Sequence, residues 1–337
     1  MIEVVDVVFE KRIQNVINEI KDIAEGFERV VVAFSGGVDS TVALFLSIYA
    51  LGREKVQACT VDWEEYFPYH ARENIDFLIS CFHVPHLYLP GRNIIEEVVS
   101  RGPACNLCTR KAKLDNLQKN FGEKTLIIGG ANQSDSWGIR GLKLIRNTYS
   151  PLFDFSKQEI FQICQIMNIP VRRIGENSVR EGCVLKHLYK PLAAKVHGQA
   201  VVKSNQVLLQ TLHQEGFKSE IANVKIVGPL QKNQALINLR PFPNPKLKSI
   251  ISQRMTDFEE IDTITWVDRP LTLVIRANPG LYRNFDSRYW IENGKIQPDF
   301  VQPVSFQWMP STNRRLRTFQ VVDFLSLIHI SEPTRPY

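Results

Sequence analysis

The stretch "VVVAFSGGVDSTVALFL", residues 30–46, decides how the rest of the chain is read. Residues 30–34 are strand formers, Ser35-Gly36-Gly37-Val38-Asp39-Ser40-Thr41 is a small-residue turn, and an apolar helical pattern follows at once. A strand that breaks through glycines into a helix N-terminus makes an anion site. Unpaired backbone N–H groups point out of the turn and the helix dipole adds positive potential. Glycine lets a phosphate approach the backbone, and hydroxyls add donors. A plain tight turn needs a glycine for its positive φ, but not two adjacent ones between Ser35 and the Asp39-Ser40-Thr41 run. The stretch is no Walker A loop, which sets a lysine before its hydroxyl residue, and it lacks the G-x-G-x-x-G spacing of dinucleotide loops.

Outward from this corner the sequence alternates. Residues 8–25 carry Ile13, Val16, Ile17, Ile20 and Ile23 at helical spacing and stop at Gly26. Further strands are predicted at 55–62 ("KVQACTVD"), at "PHLYLP" and at 124–130 ("KTLIIGG"). Helices are predicted over about 41–51, through "ARENIDFLISCF", after Cys108 and over 156–168. Strands alternating with helices imply a parallel sheet with helices on both faces, which binds ligands beyond the carboxyl ends of its strands.

From about Lys190 the pattern changes. "KSNQVLLQTLHQEGF" reads as a helix closed by Gly216, and "IANVKIVG" and "QALINLRP" as two strands. "TITWVDRPLTLVIRAN" and "PVSFQW" suggest more strands. The expected organisation is a nucleotide domain at 1–188, a helix-strand-strand module at 189–245 and a β-rich extension of unassigned role at 246–324. Residues 325–337, "LSLIHISEPTRPY", resemble a translated cloning adapter and are set apart from the fold.

Composition narrows the class. At 337 residues and 44% hydrophobic, the chain can bury a full core and has room for two domains. No apolar run approaches the roughly 18 residues that span a bilayer, and the N-terminus carries acids before its first base, so a cytoplasmic protein with no membrane partner is expected. The net charge of +6 tolerates a nucleic-acid partner without requiring one. Six cysteines in a chain this long are no disulfide scaffold. Cys105 and Cys108 are spaced for metal or redox chemistry, and Cys183 in "REGCVLKH" has basic neighbours that favour a thiolate. Cys59, Cys81 and Cys164 read as core. By donor count, Cys105, Cys108 and Cys183 suit an iron–sulfur cluster with one open iron, or, with a histidine, a structural zinc.

The turn at 35–40 resembles the SGGxDS loop of the ATP pyrophosphatase (PP-loop) superfamily. That resemblance implies an α/β fold of the adenine nucleotide alpha hydrolase type (Rossmann-like, or HUP), followed here by a smaller α+β region. It also implies enzymes that split ATP between the α and β phosphates and adenylate an acceptor oxygen. Ser35, Gly36, Gly37, Ser40 and Thr41 are then expected to cradle pyrophosphate, with Asp39 catalytic and helping to hold Mg²⁺. The adenine is expected at the end of "CTVD", against Thr60 and Val61, with Asp62 either a nucleotide contact or a strand-end cap. Gly130, Asn132 and Asp135 of "GGANQSD" are implied to complete the nucleotide site.

Within the superfamily, "GGANQSD", "SPLFDFSKQEI" and the cysteine after "REG" look like the LarE-type sulfur-inserting enzymes. The leading expectation is therefore an ATP-dependent sulfurtransferase, with catalytic Cys183 and a 4Fe-4S cluster on Cys105, Cys108 and Cys183. Its acceptor is a small molecule or tRNA, its sulfur donor is open, and a homo-oligomer is expected. The alternatives are a tRNA thiolase, or an ATP-dependent amide-forming ligase that uses ammonia and leaves the cysteines to zinc. A non-catalytic nucleotide- or RNA-binding module is disfavoured by the intact Asp39 and loop hydroxyls.

Overall fold

The structure is a computed structural model and describes residues 2–133, 143–171 and 183–326. The chain divides into two compact units, one built from 1–92, 109–174 and 178–182, the other from 93–108, 175–177 and 183–337. In chain order the elements of the amino-terminal half are α1 (Ile2–Ala24), β1 (Arg29–Ala33), α2 (Val38–Leu51), β2 (Val56–Asp62), α3 (Tyr69–Phe82) and β3 (His86–Pro90). They continue with α4 (Arg92–Val99), α5 (Cys105–Cys108), α6 (Asp115–Phe121), β4 (Thr125–Ile128), β5 (Leu144–Ile145), β6 (Thr148–Tyr149) and α7 (Lys157–Ile166). The rest comprises α8 (Lys195–Gln214), β7 (Ile221–Val227), β8 (Gln234–Arg240), α9 (Pro245–Thr256), β9 (Thr263–Trp266) and β10 (Leu271–Ala277). It closes with α10 (Pro279–Arg283), α11 (Phe285–Trp290), β11 (Val304–Pro310) and β12 (Phe319–Ser326).

The first unit holds a six-stranded sheet in the order β3-β2-β1-β4-β6-β5, parallel except for β5. Its inner strands are β-branched and buried on both faces, as "RVVVA" and "TLII" show, because helices cover each side of a parallel sheet. On one face Val31, Cys59, Leu89, Leu117 and Ile127 form a core closed by Leu114 and Phe121. Each such side chain contributes roughly 1.5–3 kcal/mol on full burial. The strand order reverses around β1, which has β2 on one side and β4 on the other. That switch point opens a crevice at the carboxyl ends of the strands, where the glycine turn lies. The expected parallel α/β architecture of the adenine nucleotide alpha hydrolase type is thus present, with smaller sheets in the carboxyl-terminal part.

The second unit contains two three-stranded sheets, β7-β8-β9 and β11-β10-β12. The alternating burial of "LTLVIRA" in β10 places one face in an apolar core with Tyr189, Ile296, Phe300 and Phe319. Its helix α8 begins at Lys195, earlier than the predicted segment, because the small residues after the start pack closely with the helix buried at His197, Gly198 and Ala200. Within this unit Lys225 on β7 is fully buried. It donates to Asp299 Oδ2 at 2.5 Å and lies 2.7 Å from His187 Nδ1, with its ammonium 5.1 Å from the centre of the Tyr189 ring. A second buried lysine, Lys190, donates to the carbonyls of Pro229 and Lys232 and to Asn233 Oδ1, and burial lowers its pKa to about 8. Removing one member of a buried charge pair strands the other. Asp299→Asn is therefore expected to cost about 3–5 kcal/mol in urea unfolding, and the paired change Lys225→Met with Asp299→Leu to recover most of it.

Candidate nucleotide site

The site begins where β1 runs out. Phe34 N–H donates to the Cys59 carbonyl at 2.8 Å, the last sheet bond before the chain leaves the sheet. Gly36 then takes φ +75°, a conformation that a side chain rarely adopts, and a Cβ there would lie 2.8 Å from Ile75 Cγ1. Its carbonyl is held from behind by Asn74, a buried residue of α3 whose Nδ2 donates at 2.9 Å. The turn is tied internally as well: Ser40 Oγ donates to the Gly37 carbonyl at 3.0 Å and accepts from Ser35 N at 3.2 Å. Gly37 is the N-cap of α2 and supplies no side-chain acceptor, so the first-turn N–H groups are left for a ligand.

Three further observations describe the surroundings of this turn. Thr41 Oγ1 is buried at the start of α2 and has no hydrogen-bond partner among the described residues. Gly130, just beyond β4, passes so close to the helix start that a Cβ would sit 2.9 Å from Ser40 N. Lys157, the first residue of α7, is ion-paired to Asp39 Oδ2. Lys157 is fixed by its helix: Ser156 and Glu159 form a capping box, and Glu159 also binds Arg12.

The expected adenine side is more committed than the sequence implied. Thr60 Oγ1 donates to the Phe34 carbonyl and lies 2.8 Å from His86 Nε2, so its hydroxyl serves the sheet. Asp62 Oδ1 accepts from Glu64 N at 2.9 Å and from Arg72 at 2.7 Å, which ties that oxygen to the turn after β2. The Arg72 guanidinium lies 4.7 Å from the centre of the Tyr88 ring. Val61 is buried, as is Asn132; Asp135 lies outside the described residues. Sequence reading missed Asn74, Lys157 and Arg72. The signals were present in a polar residue within the apolar pattern of "ARENIDFLISCF" and a lysine directly after the Ser156 cap.

The cysteines separate by environment. Burial pushes the Cys59 thiol up to about 12, and burial together with the Asp39 carboxylate pushes Cys164 up to about 11, so both are inert core groups. Cys81, expected in the core, is exposed because its position on α3 falls on the outer face. Cys105 and Cys108 occupy one turn, α5, and Cys183 precedes the short 3₁₀ turn Val184–His187. A cluster or a closed zinc site needs three or four donors converging on one point. No group of three or more His, Cys, Asp or Glu residues is so placed among the described residues. The iron–sulfur cluster and the zinc expected at Cys105, Cys108 and Cys183 therefore find no support.

Comparison with known proteins agrees with the loop. The NAD synthase family profile matches residues 8–122, which include the SGGVDS turn. The matched segment carries the turn that resembles the PP-loop superfamily. An NH₃-dependent NAD⁺ synthetase of Thermococcus sibiricus is 26% identical over 161 residues, covering 42% of this chain and 58% of that protein. Its counterpart in Wolinella succinogenes is 30% identical over 158 residues, covering 43% of this chain and 59% of that one. An uncharacterized protein of Methanocaldococcus jannaschii is 29% identical over 189 residues, covering 51% of this chain and 39% of its own length. The match thus spans little more than half of the synthetases' length. These relatives overturn the sulfurtransferase expectation, since several are named for ammonia-dependent synthesis and none for sulfur transfer. No helix among the described residues is long and apolar enough to cross a membrane.

Two outcomes follow from this geometry. Gly36→Ala meets both the strained φ and the Ile75 contact, and ATP affinity measured by calorimetry is expected to fall at least about tenfold while the fold is retained. His86 is held neutral by burial, with its pKa lowered to about 4, below the ordinary 6.5. The unfolded chain therefore binds the extra proton first, and stability is expected to fall as pH drops from 6.5 towards 4. Urea midpoints across that window are expected to flatten in His86→Asn.

Proposed function

We propose that the chain is an ATP-dependent amide-forming ligase that activates a carboxylate as its adenylate and lets ammonia displace AMP. The carrying observation is the Gly36-Gly37 turn, with no side-chain cap from Gly37, a buried Thr41 hydroxyl that has no partner among the described residues, and the Lys157–Asp39 pair gathered at one helix start. A carboxylate oxygen attacks the α-phosphorus of ATP, the bond to the bridging oxygen breaks, and pyrophosphate leaves onto the turn. The N–H groups of α2 are fixed before the reaction, so they favour the charge that develops on the leaving group without reorganising. Lys157 adds a cation beside it, and the Thr41 hydroxyl, without a partner among the described residues, can donate to a phosphate oxygen.

Ammonia then attacks the acyl carbon, the bond from that carbon to the AMP oxygen breaks, and one proton leaves from nitrogen. Asp39 offers hard carboxylate oxygens of the kind that hold Mg²⁺ together with substrate phosphates, and Mg²⁺ when bound would neutralise phosphate charge. The relatives' names supply the acceptor class. An ammonia-dependent synthesis of NAD⁺ amidates a pyridine carboxylate, so the dinucleotide carrying that carboxylate is the first acceptor to test.

The expected result is release of AMP and pyrophosphate that requires both the carboxylate and ammonium, with an amide product in mass spectrometry. Asp39→Asn is expected to lower pyrophosphate release by about 100-fold or more. Turnover that ignores ammonium, or exchange of pyrophosphate into ATP with no carboxylate present, would sink the ligase reading.

A further inference from the structure

A different surface, unrelated to the nucleotide chemistry, is shaped to meet a partner. The helices α10 and α11 bury none of their residues. Phe285, Tyr289 and Trp290 are 68%, 55% and 42% exposed, and Phe285 has the largest exposure among the exposed large hydrophobic residues described. Phe285 and Tyr289 are four residues apart on α11 and share one face. These rings are held in place: Asn278 and Asn284 cap the two helices, and the Arg288 guanidinium lies 5.8 Å from the centre of the Phe285 ring.

A basic loop is stapled to the same end of the β11-β10-β12 sheet. The turn between β11 and β12 carries Arg314, Arg315 and Arg317, all exposed and none ion-paired to a carboxylate among the described residues. Ser311 N–H donates to the Ala277 carbonyl at 2.7 Å and Asn278 N–H to Thr318 at 2.9 Å, while the Asn278 side chain donates to the Arg317 carbonyl. Asn278 therefore begins α10 and anchors the arginine loop at once. The loop also reaches the other way, with Arg317 N–H donating to the Arg101 carbonyl at 2.8 Å. Between 276 and 317 seven basic residues face three acidic ones. Of those acids, Asp299 is buried against Lys225 and Glu292 accepts from the Trp308 indole.

We infer that this face binds single-stranded nucleic acid. Exposed rigid aromatics beside unpaired arginines match a strand whose bases are unstacked: the rings stack on base faces and the guanidinium groups track phosphates. A duplex hides its base faces and would leave Phe285 and Tyr289 unused. A purely apolar partner would leave Arg314, Arg315 and Arg317 desolvated without counter-charge.

The test is fluorescence anisotropy of the full chain with labelled oligouridylate and oligothymidylate of about 12 nucleotides, and a duplex of the same length, at about 50 and 200 mM salt. Both single strands are expected to bind at least about tenfold more tightly than the duplex, and the tighter of the two identifies the natural strand as RNA or DNA. Phe285→Ala with Tyr289→Ala is expected to weaken binding about tenfold or more with the salt slope unchanged. Arg314→Ala with Arg315→Ala is expected to reduce the slope of log K against log salt by about 1.4. Variants are compared at matched urea midpoints, so that misfolding is not scored as lost binding. The inference is overturned if neither strand binds at the lower salt, or if the duplex binds equally and the aromatic variant is indifferent. It is also overturned if sedimentation shows that the aromatic face instead joins two copies of the chain.

Discussion

The site depends on one constraint: the start of α2 is left without a side-chain cap at the switch point of a parallel sheet. An uncapped helix start carries unsatisfied N–H groups and partial positive charge, which is costly unless water or an anion answers it. The surrounding residues preserve that condition. Asn74 holds the Gly36 carbonyl, Gly130 keeps the neighbouring strand end from crowding Ser40, and the hydroxyls of Ser35 and Ser40 tie the turn to itself. Lys157 and Asp39 then set opposite charges at the mouth of the turn. A turn of this kind is suited to an anion and does not by itself specify a nucleophile. The sulfur expectation came from other stretches, "GGANQSD", "SPLFDFSKQEI" and the cysteine after "REG", and the relatives' names point to ammonia instead.

The second unit follows another logic. It buries two lysines, Lys190 before α8 and Lys225 on β7, each bound to polar partners, where apolar residues would have packed at less electrostatic cost. Lys190 reads the turn 229–233 through two carbonyls and Asn233, and Lys225 ties β7 to Asp299 in the segment before β11. Both therefore fix connections distant in sequence. The apolar pattern of the strands alone would not set those connections, since "IANVKIV" and "QALINLR" could pair in more than one register.

Legibility differed by element for physical reasons. The strands β1, β2 and β4 were visible because burial on both faces writes a continuous β-branched run into the sequence. The helices α9, α10 and α11 were not, since they start at asparagine caps within proline-rich stretches that read as loop, and the last two have no buried face to give a period. Strand β12 was obscured because its end runs into the stretch set aside as non-native. Among the site residues, Asp39, Thr41 and Gly130 stood out by motif, whereas Asn74 and Lys157 act on the loop across 38 and 118 residues of sequence, and their local signals mark a polar position and a helix start without naming the loop as their partner.

The sequence by itself determined the glycine turn at the start of a helix, because glycines, hydroxyls and a helix start are local features set by a few adjacent residues. It likewise determined the parallel sheet through the alternation of its strands and helices. Only the tertiary structure decided which groups serve that corner, turning Thr60 and Asp62 towards the sheet and its following turn while bringing Lys157 to Asp39. It also gathered no group of three or more His, Cys, Asp or Glu residues around the cysteine pair among the described residues, and set the arginine loop beside the aromatic helices. Spacing along a chain limits which side chains can meet, but the path of the chain between them decides which do.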